Sequence, residues 1–92
     1  MVFAFERSDE LKNTLEKINK KHKLLYEATL KKMGEVISRD SQTIDYYKNL
    51  RHDLSDYKRV HVLKHYVLFF KVNKEKNLIY FQKLRHHDEA YK

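Results

Sequence analysis

The stretch that decides the fold is YKRVHVLKHYVLFFKVNKEKNLIYFQKL, Tyr57–Leu84. Three runs within it are rich in β-branched and aromatic residues: Tyr57–Val62, Tyr66–Val72 and Leu78–Leu84. They are separated by LKH and NKEKN, segments short enough to close hairpins. An antiparallel three-strand meander is therefore expected.

Upstream the period changes. VFAFE (Val2–Glu6) is short and rich in β-formers and reads as a strand. Ser8 then offers an N-cap, and Asp9 and Glu10 suit the positive end of a helix dipole. Leu11, Leu15 and Ile18 recur at helical spacing, so a first helix is expected. NKKHK (Asn19–Lys23) has no apolar residue and is expected to hold a turn. Leu25, Ala28, Thr29, Met33, Val36 and Ile37 carry a second helix, which SRDSQT ends. Gly34 inside it is unfavourable relative to alanine, which predicts close packing there. The order is β-α-α-β-β-β: an α+β fold in which a two-helix hairpin covers one face of a small antiparallel sheet. A short helical turn is expected at the carboxy-terminal end.

Strand alternation sorts the meander's side chains. Val60, Val62, Leu68, Phe70, Val72, Leu78, Tyr80 and Leu84 are expected under the helices. Arg59, His61, Val67, Phe69, Lys71, Phe81, Lys83 and Arg85 fall on the opposite face. A basic face with two phenylalanines reads as a platform for single-stranded nucleic acid, cations following phosphates and rings stacking on bases. A solvated sheet face, or one covered by a partner protein, is the competing reading.

Composition narrows the class. Ninety-two residues are expected to make one domain, residues 1–92. Without cysteine there is no disulfide, thiolate metal site or cysteine nucleophile. No apolar run approaches the ~20 residues of a membrane span, and MVFAFERSDE does not read as a signal peptide, so a cytoplasmic protein is expected. The net charge is +7. Residues 1–45 hold nine Lys and Arg against eight Asp and Glu; residues 46–92 hold eleven against five, with five of the six histidines. A basic excess confined to one half favours a polyanionic partner.

The chain closes on KLRHHDEAYK, Lys83–Lys92. Extended geometry puts Arg85 and His87 on one side, and a following helical turn would bring His87 and Tyr91 together at i and i+4. His61 and Arg59 lie on the same sheet. This set is a phosphate clamp with proton-carrying groups, which is what RNA cleavage by its own 2′-hydroxyl requires. A base takes the 2′ proton, an acid protonates the 5′ leaving oxygen, and cations stabilise the charge at phosphorus. Imidazole suits both proton roles near neutral pH. His87 is expected as acid and His61 or Tyr91 as base, with Arg85 and Arg59 on the scissile phosphate. Lys48, Lys58, Lys71 and Lys83 are expected as further phosphate or RNA contacts. A metal site on His61, His86 and His87 is disfavoured by the lack of cysteine and the few acids nearby, so neither a metal nor another cofactor is expected. His22 and His52 read as surface residues, Arg51 as basic surface, and His65 as part of a hairpin turn.

The element order, with YKRVHV…HYVLFFKV and the closing R-x-H-x-x-x-Y, resembles the RelE/YafQ/ParE superfamily, the toxins of type II toxin–antitoxin modules. The resemblance runs over most of the chain. It implies a RelE-like fold and an mRNA endonuclease acting in the ribosomal A site, neutralised by a bound acidic antitoxin. Arg85 and Tyr91 match the spacing of cleavage-site residues in RelE-like members. His61, and His87 with Tyr91, match active-site positions of YafQ-like ones. Lys48 falls near a YafQ-like histidine and RelE-like lysines, and His65 falls where YafQ-like proteins carry an acid. Two alternatives stay open: a ParE-like toxin that inhibits DNA gyrase without hydrolysis, and a basic RNA-binding module without catalysis.

Overall fold

The computed structural model describes residues 3–49 and 57–90. Arg51, His52 and Tyr91 lie outside the described residues, so the expectations attached to them are not addressed by the geometry. The elements are β1 (Ala4–Arg7), α1 (Asp9–Lys21), α2 (Lys23–Ile37), a 3-10 turn (Ile44–Tyr46), β2 (Lys58–Val62), β3 (Tyr66–Asn73), β4 (Leu78–His86) and α3 (His87–Ala90). The sheet order is β1-β4-β3-β2. The β2–β3 and β3–β4 pairs are antiparallel, as the meander predicts. β1 pairs parallel to β4, so the four-strand sheet is mixed. The intervening helices carry the chain back, which is what a parallel neighbour requires.

Ser8 starts α1 in extended backbone, and its hydroxyl accepts from Leu11 N at 3.0 Å. Asp9 and Glu10 in the first turn and Lys20 and Lys21 in the last complement the helix dipole. The expected turn over Asn19–Lys23 shrinks to one residue. α1 runs to Lys21, His22 breaks the helix with φ −146°, and its Nδ1 accepts from Leu25 N at 3.4 Å to cap α2. The polar run is the solvent face of a helix end, not a loop. Leu11 and Leu15 of α1 meet Leu25, Met33 and Val36 of α2 over the sheet core of Val62, Leu68, Phe70, Ile79, Phe81 and Leu84. Each fully buried aliphatic or aromatic side chain there contributes about 1.5–3 kcal/mol relative to exposure.

Two further expectations are corrected here. A Cβ built on Gly34 meets nothing within 4 Å, so close packing does not explain this glycine. The second correction concerns the phase of β4. Phe69 pairs with Lys83, but Phe70 pairs with Phe81, so the register slips and Gln82 bulges out of the ladder. The extra residue reverses the alternation ahead of it. Ile79 and Phe81, together with Leu84, therefore enter the helix-side core. Leu78 and Tyr80 pair with Asn73 and Lys71 and turn to the other face. Ser8 also serves the bulge: its hydroxyl donates to the Gln82 carbonyl, and its backbone N–H donates to Phe81 O at 2.9 Å.

The face away from the helices is not an open aromatic platform. Phe81 belongs to the main core. Phe69 and Val67 are fully buried in a second small cluster with Tyr57. Lys83 Nζ lies 4.9 Å from the Phe69 ring centroid and Lys71 Nζ 4.6 Å from that of Tyr57. Neither phenylalanine is available to stack on a base; their burial leaves a basic rim around a small apolar seal.

Candidate active site

The functional side chains gather where β2, β3 and β4 meet the start of α3. His61 pairs with Val67, and Val67 pairs with Arg85, so the three share one row across the sheet. Neighbouring strands lie about 4.8 Å apart, which puts Arg85 roughly 10 Å from His61 along that row. β4 ends at His86, and α3 turns the chain so that the His87 ring comes back over the row. The His61 and His87 centroids are 6.0 Å apart with ring planes at 25°. The backbone holds this corner: His87 N donates to His65 O in the turn of the β2–β3 hairpin.

A second histidine pair lies beside the first. His65 and His86 have centroids 5.9 Å apart and planes at 12°. His86 also meets Tyr66 edge-on at 5.3 Å, and Tyr66 meets His22 edge-on at 6.2 Å. His86 Nδ1 accepts from Asp88 N at 3.3 Å. His61, Lys64, His65, His86, His87 and Asp88 line one open depression of about 580 Å³. His65 and His86 were not singled out as site residues by sequence reasoning. The four-residue spacing from His61 across a tight hairpin was the signal for His65. His86 had no signal of its own, because strand alternation points it away from His87. Among the described residues, no group of three or more His, Asp or Glu is arranged to hold a metal ion.

Arg85 is present in the row but engaged. Its Nη1 lies 2.6 Å from Glu10 Oε2 of α1, with both side chains partly exposed. Arg59, two residues before His61 on the same strand, is half-buried, and its backbone N donates to Lys48 O at 3.2 Å. That bond brings the exposed Lys48 alongside the start of β2. Lys71 and Lys83 form the rim described above.

Lys58 departs from the expectation of a phosphate contact. It pairs with Phe70, on the helix side of the sheet, and its side chain is only 11% exposed. Its Nζ donates to Tyr47 O at 3.0 Å and Asn49 Oδ1 at 2.7 Å and lies 3.3 Å from Asp45 Oδ1. An ammonium with three such partners has no donor left for RNA. Lys58 is a strut that fastens the segment after the 3-10 turn to β2. Asp45 is shared: its other oxygen accepts from Lys74 Nζ at 2.7 Å. The Lys74 and Lys58 ammonium groups hold the Asp45 carboxyl below its ordinary range.

The chain is 40% identical over 91 residues to a chain named as a toxin, RelE4, from Methanocaldococcus jannaschii. That match covers 99% of this chain and 93% of the relative. The chain belongs to the RelE toxin family. No protein-family model matches it. The RelE fold is also plain in solved structures. The isolated Escherichia coli RelE toxin superposes with a TM-score of 0.70 at 18% identity, over 97% of this chain and 88% of that one. RelE in the RelE–RelB complex of Pyrococcus horikoshii superposes with a TM-score of 0.66 at 17% identity, over 98% and 100%. RelE-like toxins share two helices on a four-strand sheet, and the histidine-lined depression here sits at one end of that sheet. No described helix is long and apolar enough to cross a membrane.

Proposed function

We propose that this RelE-family toxin is a metal-independent endoribonuclease that cleaves messenger RNA on the ribosome and is restrained by an acidic antitoxin. The observation that carries the reading is the approach of His61 and His87, with centroids 6.0 Å apart in an open depression. Two imidazoles at that separation can flank one ribose–phosphate linkage. His61 takes the proton of the 2′-hydroxyl as its oxygen bonds to phosphorus. The bond from phosphorus to the 5′ oxygen breaks, and His87 gives that oxygen its proton. The products are a 2′,3′-cyclic phosphate and a 5′-hydroxyl. Arg85 and Arg59 neutralise the charge that develops at phosphorus, with Lys48, Lys71 and Lys83 along the RNA path. Tyr91 is the alternative base.

The net charge of +7 supports a polyanionic substrate and an acidic protein partner. The Pyrococcus horikoshii neighbour is a RelE–RelB complex, which supports an antitoxin for this chain as well. The test is primer extension on a message undergoing translation, with wild type, His61→Ala, His87→Ala and Arg85→Ala. Discrete cuts by wild type that fade in each variant are expected. Intact RNA during growth arrest by the wild-type chain would overturn the nuclease reading.

A further inference from the structure

Glu10 is an acid placed on a guanidinium of the candidate site. Its Oε2 lies 2.6 Å from Arg85 Nη1, although the two residues are far apart in sequence. The contact is built by the fold. Ser8 caps α1 and bonds the carbonyl of the Gln82 bulge, which sets the first turn of α1 against β4 three residues before Arg85. A carboxylate and a phosphate ester present the same feature to arginine, two anionic oxygens in a plane that fits its fork. We infer that Glu10 is an internal mimic of the substrate phosphate: it occupies Arg85 in the free protein and must be displaced when an RNA phosphodiester binds. This inference rests on the assignment of Arg85 to the phosphate.

The arrangement has two consequences. Glu10 keeps Arg85 ordered and off unrelated anions, so a weakly bound phosphate competes poorly for it. An RNA with several phosphates on the Lys71–Lys83 rim supplies the local concentration needed to exchange the pair. Both side chains are partly solvent-exposed, at 36% for Arg85 and 45% for Glu10, so exchange needs no unfolding. Glu10 is thus a specificity-determining residue that raises the threshold for binding rather than a catalytic one.

The experiment measures equilibrium binding of a 2′-O-methyl RNA oligonucleotide, which cannot be cleaved, to four proteins: wild type, Glu10→Gln, Arg85→Gln and the double variant. Asp9→Asn removes the same charge from the same helix turn and serves as the control. Glu10→Gln is expected to tighten binding by about two- to fivefold, more than Asp9→Asn does, and to have no effect once Arg85 is Gln. Equal gains from Glu10→Gln and Asp9→Asn, an undiminished gain in the Arg85→Gln background, or no binding by any of the proteins would each overturn the inference. Glu10→Asp, too short to keep the pair, gives the same answer if Glu10→Gln misfolds. Because the probe is uncleavable, these results stand apart from whether the chain cuts RNA. Cleavage with an unmoved Glu10 variant sinks this inference alone, and binding without cleavage sinks the nuclease reading alone.

Discussion

Lys58 Nζ and the Tyr47 carbonyl oxygen are 3.0 Å apart beneath the edge of the sheet, and this bond ties the segment after the helices to the first strand of the meander. The same ammonium bonds Asn49 and faces Asp45. Replacing Lys58 with methionine keeps an unbranched side chain one atom shorter and deletes the donor. The Tyr47 carbonyl then loses its partner, at a cost of about 1–3 kcal/mol. Urea unfolding of Lys58→Met should show a lower midpoint with an unchanged slope. A midpoint equal to wild type would mean that the strut carries no stability.

Acid should weaken the same junction. Lys74, then Lys58, holds the Asp45 carboxyl below its ordinary value of 3.8. A depressed carboxyl contributes stability that is fully present above the unfolded-state value and is lost as pH falls through the folded-state value. Asp45→Asn should therefore flatten the stability profile below about pH 4 while changing its shape little near neutrality. Chemical denaturation at a series of pH values reads this directly.

His61→Ala and His87→Ala should each slow RNA cleavage by about 10²–10⁴-fold, the usual contribution of a positioned acid or base. The double variant should be little slower than the worse single one if the two act in one concerted transfer. Single-turnover rates on programmed ribosomes test this. A tenfold or smaller loss in both single variants would remove the histidines from the chemistry.

Gly34 offers a gain of stability. It lies inside α2 with open space where a Cβ would sit, and no described glycine has positive φ. Gly34→Ala should stabilise the fold by about 0.5–1 kcal/mol through helix propensity alone, equivalent to a rise in Tm of a few degrees for a domain of this size. A thermal melt that falls instead would reveal packing at this position that the free chain does not show.

Ser8→Ala removes an acceptor for Leu11 N and a donor to the Gln82 carbonyl at once. The cap is worth about 1 kcal/mol, and the orphaned bulge adds to it. Hydrogen exchange should speed up both in the first turn of α1 and around Gln82. Faster exchange confined to α1 would show that the bulge stands without Ser8.

The amino-acid sequence by itself determined the element order, because the apolar period switches from helical to strand-like after residue 56. It also put His61 on the strand beside β3, since a connection as short as Leu63–His65 leaves β2 and β3 no other pairing, whereas the approach of His87 to His61 came from the turn into α3. Tertiary structure decided the rest. The phase of β4 depended on the bulge at Gln82, and alternation predicts a face only while the ladder is unbroken. Lys58 reads in the sequence as one more surface cation, and Arg85 as a free phosphate clamp. Their actual partners, Tyr47, Asn49 and Asp45 for one and Glu10 for the other, are set by how the helices dock on the sheet. A charge is assigned by residue type, but what it pairs with depends on contacts between distant parts of the chain, and no local pattern records those.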